Sequence, residues 1–199
     1  MSQSTDPATL RFYEVEAEEY CRRTGSFPST HLAEFLSFLP PGASILELGC
    51  GSGRDTAEMI RLGYDVTPTD GSEEVARQAA RRLNRTVTVL EFSDLQQEAR
   101  FDGVWAQACL LHVPIGHLPD VLSRIHHALR SPGVLFASFK EGKGEGRDQF
   151  GRYFNYPSSE MLGRTFEEAA SWAGFEISQS PGRGYDGEPA TWLECKAFR

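Results

Sequence analysis

The stretch SILELGCGSGRD, residues 44–55, sets Gly49, Gly51 and Gly53 at alternate positions directly behind a short apolar run. A run of that length bounded by turn residues reads as a buried strand, and the residues from about 53 to 62, closed by Gly63, read as a helix. Glycines crowded between a strand and a helix permit positive φ and remove side-chain bulk. A ligand can then press against bare amides at the helix N-terminus.

The rest of the chain repeats this alternation. YDVTPT reads as a strand, followed by a helix from Ser72 to Leu83 with Ser72 as N-cap and Glu73 and Glu74 in its first turn. TVTVLEF and FDGVWAQ read as strands, HLPDVLSRIHHAL as an amphipathic helix, GVLFASF as a strand and SSEMLGRTFEEAASWA as a helix. FEISQS and TWLECKAF close the chain with no helix between them, so the last strand should run antiparallel. Strands alternating with helices of this length predict an α/β fold: a doubly wound, mostly parallel, seven-stranded sheet with an antiparallel final strand. Residues 6–39 read as helical, broken by RTGSFPST and ended by PPGA. The expected organisation is one domain over 1–199: an N-terminal helical cap to residue 40, a ligand-binding core over 43–139, a loop over 140–157, and a C-terminal helix with a strand pair over 158–199.

Composition narrows the function. The 20 basic and 28 acidic residues leave a net charge of −8 with no basic block, which disfavours a nucleic-acid partner. No apolar run is long enough for a membrane span, and the acidic N-terminus is unlike a secretion signal. Cys21, Cys50, Cys109 and Cys195 are scattered, with no CxxC pair and no metal-site spacing, so no metal is expected and a cytoplasmic location is. A monomer or weak homodimer is expected.

Spacing separates the ligand classes. A dinucleotide fingerprint needs G-x-G-x-x-G, and the sixth position from Gly49 is Arg54. The pattern here is E-x-G-x-G-x-G, with Glu47 at the strand end, where a carboxylate suits a cation better than a pyrophosphate. Asp70, ending the second strand in VTPTDGS, can accept both hydroxyls of a ribose, and LEFSDL ends the third strand with a polar position.

LELGCGSGRD, TDGS, FDGVWAQACLLHV and IHHALRSPGVLFASF occur in order, and together they resemble the class I S-adenosylmethionine-dependent methyltransferases. The resemblance covers about 43–139; the usual L-x-P-G-G turn keeps only Gly133 after Pro132, and Glu91-Phe92 stands where the family often has Asp and a small residue. It implies S-adenosylmethionine as cofactor and S-adenosylhomocysteine as product. Gly49, Cys50 and Gly51 would line the cofactor with backbone, Asp70 would hold the ribose with Gly71 and Ser72 alongside, and Glu91 and Phe92 would meet the adenine. Ala106 and Gln107 would approach the amino-acid part. The short frame and LLHVP are similar to bacterial methyltransferases acting on tellurite, thiols or small metabolites, which implies a small-molecule acceptor.

Several positions keep two readings. Glu47 is a cofactor contact or a buried acid satisfied locally, and Asp70 is a ribose ligand or a helix cap. His112 is a general base or a packed histidine, and Asp148 is the second candidate base. Tyr13 and Tyr20, two helical turns apart, cover the sulfonium or simply dock their helix. SFKEGKGEGRDQFGRYFNYP, 138–157, sets Phe150, Tyr153, Phe154 and Tyr156 with four cations in a glycine-rich context. It is a surface loop or a lid whose Arg147, Arg152 and Tyr153 meet an anionic acceptor. The rival functions are a catalytically silent cofactor-binding module and a nucleotide-dependent oxidoreductase.

Overall fold

The computed structural model describes residues 5–199; the first four residues of the expected cap lie outside them. Helix α1 (Pro7–Thr24) starts where Asp6 accepts from the Thr9 amide at 2.9 Å, with Pro7 at its first position. Gly25 and the turn residues behind it end α1, and a short α2 (Leu32–Ser37) follows. Then come β1 (Ser44–Glu47), α3 (Arg54–Arg61), β2 (Asp65–Asp70), α4 (Glu73–Leu83), β3 (Thr88–Val89) and β4 (Phe101–Ala106). After α5 (Leu118–Ala128), β5 (Leu129–Lys140) leads to a two-stranded ribbon, β6 (Gly146–Arg147) and β7 (Tyr153–Phe154). Helix α6 (Ser159–Ala169) and the hairpin β8 (Gly174–Arg183) and β9 (Pro189–Phe198) complete the chain.

The seven-stranded sheet has the order β3-β2-β1-β4-β5-β9-β8. Pairs from β3 to β5 are parallel, and β9 runs antiparallel to both of its neighbours. The expected topology is therefore present. One face buries Leu32, Phe35 and Leu36 of α2 against Ile45, Met59 and Trp105, and the other buries the apolar stripes of α5 and α6. Strand order reverses between β1 and β4, so the loops leaving those two strands open into one crevice at their carboxyl ends.

Two boundaries differ from expectation for a physical reason. TVTVLEF pairs only at Thr88 and Val89, both exposed at the sheet edge, where no further strand holds the segment. Strand β5 begins four residues before GVLFASF, at Leu129, which pairs with Phe101 of β4, and ends one residue beyond it at Lys140, which pairs with Trp192 of β9.

Helix α1 lies across the crevice. The Glu14 carboxylate accepts from the amides of Glu73 and Glu74 at 2.6 and 3.2 Å, so α1 supplies an acceptor to the open N-terminus of α4.

Candidate active site

The glycine loop adopts the left-handed backbone its composition implied. Gly49 and Gly51 have φ of +64° and +57°. A Cβ on Gly49 would come within 2.5 Å of the Cys109 Cβ, and one on Gly51 within 3.3 Å of the Tyr20 hydroxyl. The Cys50 amide donates to the Thr69 carbonyl at 2.8 Å, tying this loop to β2.

Asp70 completes the tie. Its Oδ2 accepts from the Gly51 amide and its Oδ1 from the Ser72 amide, each at 3.0 Å. The cap of α4 is Ser72, whose Oγ accepts from the Val75 amide at 3.2 Å. Burial pushes the Asp70 carboxyl up to about 6, against the pull of the Ser72 and Gly51 amides.

Two cavities meet here. A small one, about 60 Å³, is lined by Asp70, Gly71, Ser72, Leu90 and Phe92, with Leu10 of α1 above them. A larger one, about 690 Å³, runs from Glu47, Cys50 and Gln107 out to the β8–β9 hairpin. Tyr13, Tyr20, Gly49, Ala108 and His112 line both, and the two tyrosine rings stand edge to face at 5.0 Å. Tyr20 thus packs on the glycine loop as well as on Tyr13.

Known proteins share this arrangement. The Methyltransferase domain family matches residues 45–133. A ubiquinone biosynthesis O-methyltransferase of Xanthomonas campestris pv. campestris (strain B100) is 32% identical over 106 residues, 49% of this chain and 43% of that protein. The counterpart in Alkalilimnicola ehrlichii is 37% identical over 109 residues, 49% of this chain and 42% of that protein. The fold of the Burkholderia thailandensis 1,6-didemethyltoxoflavin-N1-methyltransferase, solved with its substrate and S-adenosylhomocysteine, superposes with a TM-score of 0.76 at 23% identity. That superposition covers 96% of this chain and 87% of the other. The match over residues 45–133 and the shared fold support a class I S-adenosylmethionine-dependent methyltransferase. The chain spans less than half the length of the curated relatives it matches.

The residues of this chain fit such a cofactor in kind. Gln107 Oε1 is buried with no hydrogen-bond partner among the described residues, an acceptor placed for an ammonium group. Glu47 is satisfied locally: it accepts from the Thr56 hydroxyl, and burial together with Asp55 pushes its carboxyl well up. The Cys50 and Cys109 thiols are likewise raised by burial, so both are packing residues. Ala106 is buried within β4 and lines neither cavity; Ala108, at φ +51°, lines both, and its amide donates to Ser138 Oγ at 2.9 Å. Glu91 faces a shallow outer hollow beside Leu10 and Arg11, whereas Phe92 turns into the small cavity.

The expected base and lid residues are placed differently from their functional readings. His112 Nδ1 lies 2.6 Å from the Tyr153 carbonyl, which can only accept, so Nδ1 carries the proton. Nε2 then accepts from the Tyr13 hydroxyl at 2.9 Å, and that hydroxyl accepts from Arg152 Nη1 at 3.0 Å. Burial holds His112 down at about 3 and pushes the Tyr13 phenol up to about 12, so both stay neutral and His112 is a weak base. Asp148 takes Arg152 through Nε and Nη2 at 2.9 and 2.6 Å and also accepts the Phe150 amide, which removes it as a free base.

Segment 140–157 is packed onto α1 rather than loose. The Arg152 guanidinium lies among the rings of Phe12, Tyr13, Phe150, Phe154 and Tyr185, at 4.8 to 5.7 Å from their centroids. Arg152 does line the larger cavity, with a donor on each of its three nitrogens already engaged. Arg147 points outward and pairs with Asp6 at 2.7 Å, and the Tyr153 hydroxyl reaches Glu145, so neither faces the cavity. Sequence reasoning missed the cavity's far wall: His31, Ser180, Trp192 and Glu194. A signal was available in TWLECKAF, whose alternation sets Leu193, Cys195 and Ala197 on one face and Trp192 and Glu194 on the other.

Proposed function

We propose that this chain transfers the methyl group of S-adenosylmethionine to a small molecule held in the larger cavity. The observation that carries this reading is Asp70, a half-buried carboxylate bridging the loops after β1 and β2 and facing a small cavity that shares Gly49 with a much larger one. In it Asp70 takes the ribose hydroxyls with Gly71 and Ser72 alongside, and Leu90 and Phe92 flank the adenine. Gly49, Cys50 and Gly51 present backbone, Gln107 Oε1 accepts from the amino group, and the faces of Tyr13 and Tyr20 suit a sulfonium.

When bound, the cofactor supplies a methyl group already activated by positive sulfur. The protein's task is then to align the acceptor and keep water out. With His112 held near 3 and Asp148 clamped by Arg152, proton removal falls to solvent or to the acceptor's own ionisation. The four cysteines, all unpaired, support a cytoplasmic assignment.

Calorimetry with S-adenosylhomocysteine and with NADH tests the reading. Binding of the first without the second is expected, followed by methyl transfer to a member of a broad acceptor screen. NADH binding without S-adenosylhomocysteine overturns the reading in favour of an oxidoreductase. Cofactor binding with no acceptor methylated leaves a silent binding module.

A further inference from the structure

The larger cavity, about 690 Å³, is of the size of a small-molecule site, and the β5–β9–β8 edge of the sheet forms most of its far wall. Register determines what that wall presents. Lys140 pairs with Trp192, Ser138 with Glu194, and Ser180 with Trp192, so their side chains share one face. Lys140 and Glu194 are diagonal neighbours on it, a separation of roughly 7–8 Å between strands.

Both charges are buried, Lys140 at 6% and Glu194 at 4% exposure. Neither is hydrogen-bonded to a group of opposite sign. Lys140 Nζ stands over the Phe154 ring at 4.8 Å and forms an ion pair with Asp186 on the hairpin turn at 3.7 Å, beyond hydrogen-bond reach. A Cβ on Gly184 would come within 2.4 Å of Nζ, so that glycine keeps the ammonium's place open. Glu194 takes the Ser180 hydroxyl at 2.5 Å and has His31 Nε2 at 3.4 Å, both on Oε1, which leaves Oε2 for a further donor. Buried charges are costly unless hydrogen-bonded, and a ligand in the cavity can supply the hydrogen bonds that these two lack.

We infer that the larger cavity takes an amphoteric acceptor: a small molecule with an anionic or carbonyl oxygen for Lys140 and an N–H or ammonium donor for Glu194, lying along the Trp192 face. This deepens the methyltransferase reading above and rests on it. A purely anionic acceptor would meet Glu194 as a like charge, and a purely cationic one would meet Lys140 in the same way. Amphoteric chemistry satisfies both.

The test uses the full chain saturated with S-adenosylhomocysteine and a fragment panel built around 4-(aminomethyl)benzoate, 4-methylbenzoate and 4-methylbenzylamine, with N–H/carbonyl heterocycles added. Affinities come from ligand-observed NMR. Amphoteric fragments are expected to bind at least tenfold tighter than either singly charged class. Lys140→Met removes their advantage over the cations, Glu194→Gln removes it over the anions, and both variants keep S-adenosylhomocysteine affinity within twofold. Equal binding of the three classes, or an advantage that survives both substitutions, overturns the inference. Should either variant fail to fold, the ranking on the wild-type chain decides alone. Absence of S-adenosylhomocysteine binding to the wild type instead overturns the methyltransferase reading itself, and the two failures are thereby separate.

Discussion

Beside the small cavity two neighbouring loops, Gly49 to Gly51 and Asp70 to Ser72, are tied by one carboxylate that accepts from the Gly51 and Ser72 amides. The larger cavity draws its far wall from residues as distant as His31, Lys140, Ser180 and Glu194, on four separate segments, and every one contributes a side chain. A site made of backbone at a strand-to-helix turn depends on glycine placement and one acid. A site made of side chains from distant segments depends on the whole tertiary structure. Between the two stands a third construction, the Asp148–Arg152–Tyr13–His112 chain, which faces the shared wall and holds the segment after β5 against α1.

Substitutions can break these regions apart, beginning with the largest effect. Asp148→Asn leaves Arg152 buried without its counter-charge, both side chains being 3–4% exposed in the native fold. Loss of roughly 3–5 kcal/mol in urea denaturation is expected, since breaking a buried pair strands the other charge. A small stability change with a large loss of acceptor binding would assign Arg152 to the acceptor instead.

Asp70→Ala comes next, with an expected loss of roughly 2–4 kcal/mol in S-adenosylhomocysteine affinity by calorimetry. The apo melting temperature should fall too, because the Gly51 and Ser72 amides lose their acceptor, so affinity is the deciding measurement. The wild type supplies a second check. With the free carboxyl raised to about 6, only the ionised form accepts both hydroxyls, so affinity should be full above pH 6 and drop about tenfold per pH unit below it. Affinity flat from pH 5 to 8 would remove Asp70 from the ribose.

Tyr13→Phe takes one hydroxyl from the chain of hydrogen bonds and leaves His112 Nε2 and Arg152 Nη1 each short of a partner. Destabilisation of roughly 1–3 kcal/mol is expected, with the ring still present to cover the cofactor. A strong loss of turnover without loss of stability would instead make the phenol a participant in the reaction. Arg147→Gln marks the low end. Its pair with Asp6 lies on the surface, so melting temperature and acceptor KM are both expected to stay at wild-type values. A raised KM would restore Arg147 as an acceptor contact.

Legibility in the sequence followed the same division. The alternation of strands and helices, the antiparallel last strand, the Ser72 cap and the glycine turn all depend on residues close together in the chain, and all were readable from spacing. Arg147 and Arg152 were readable as cations in an aromatic loop, yet the spacing could not show that Asp6 and Asp148 already held them. His112 was readable as a histidine near the site. Its low basicity comes from burial beneath Tyr13 and Phe154, a property of packing. His126 of α5 likewise packs edge to face with Trp172, three residues beyond α6, at 4.8 Å, a contact between segments distant in the chain.

Strand β9 has one further consequence. Leu193, Cys195 and Ala197 are fixed by the packed interior, while Glu194 faces the cavity on the opposite side; Trp192 lines that cavity and packs against the interior as well. Alternation uncouples Glu194 from the interior set: an exchange at 194 changes what the cavity admits without disturbing what the interior requires. In a lineage of such chains, the choice of acceptor can therefore drift by single substitutions on one side of one strand, while the fold and its cofactor turn are inherited unchanged.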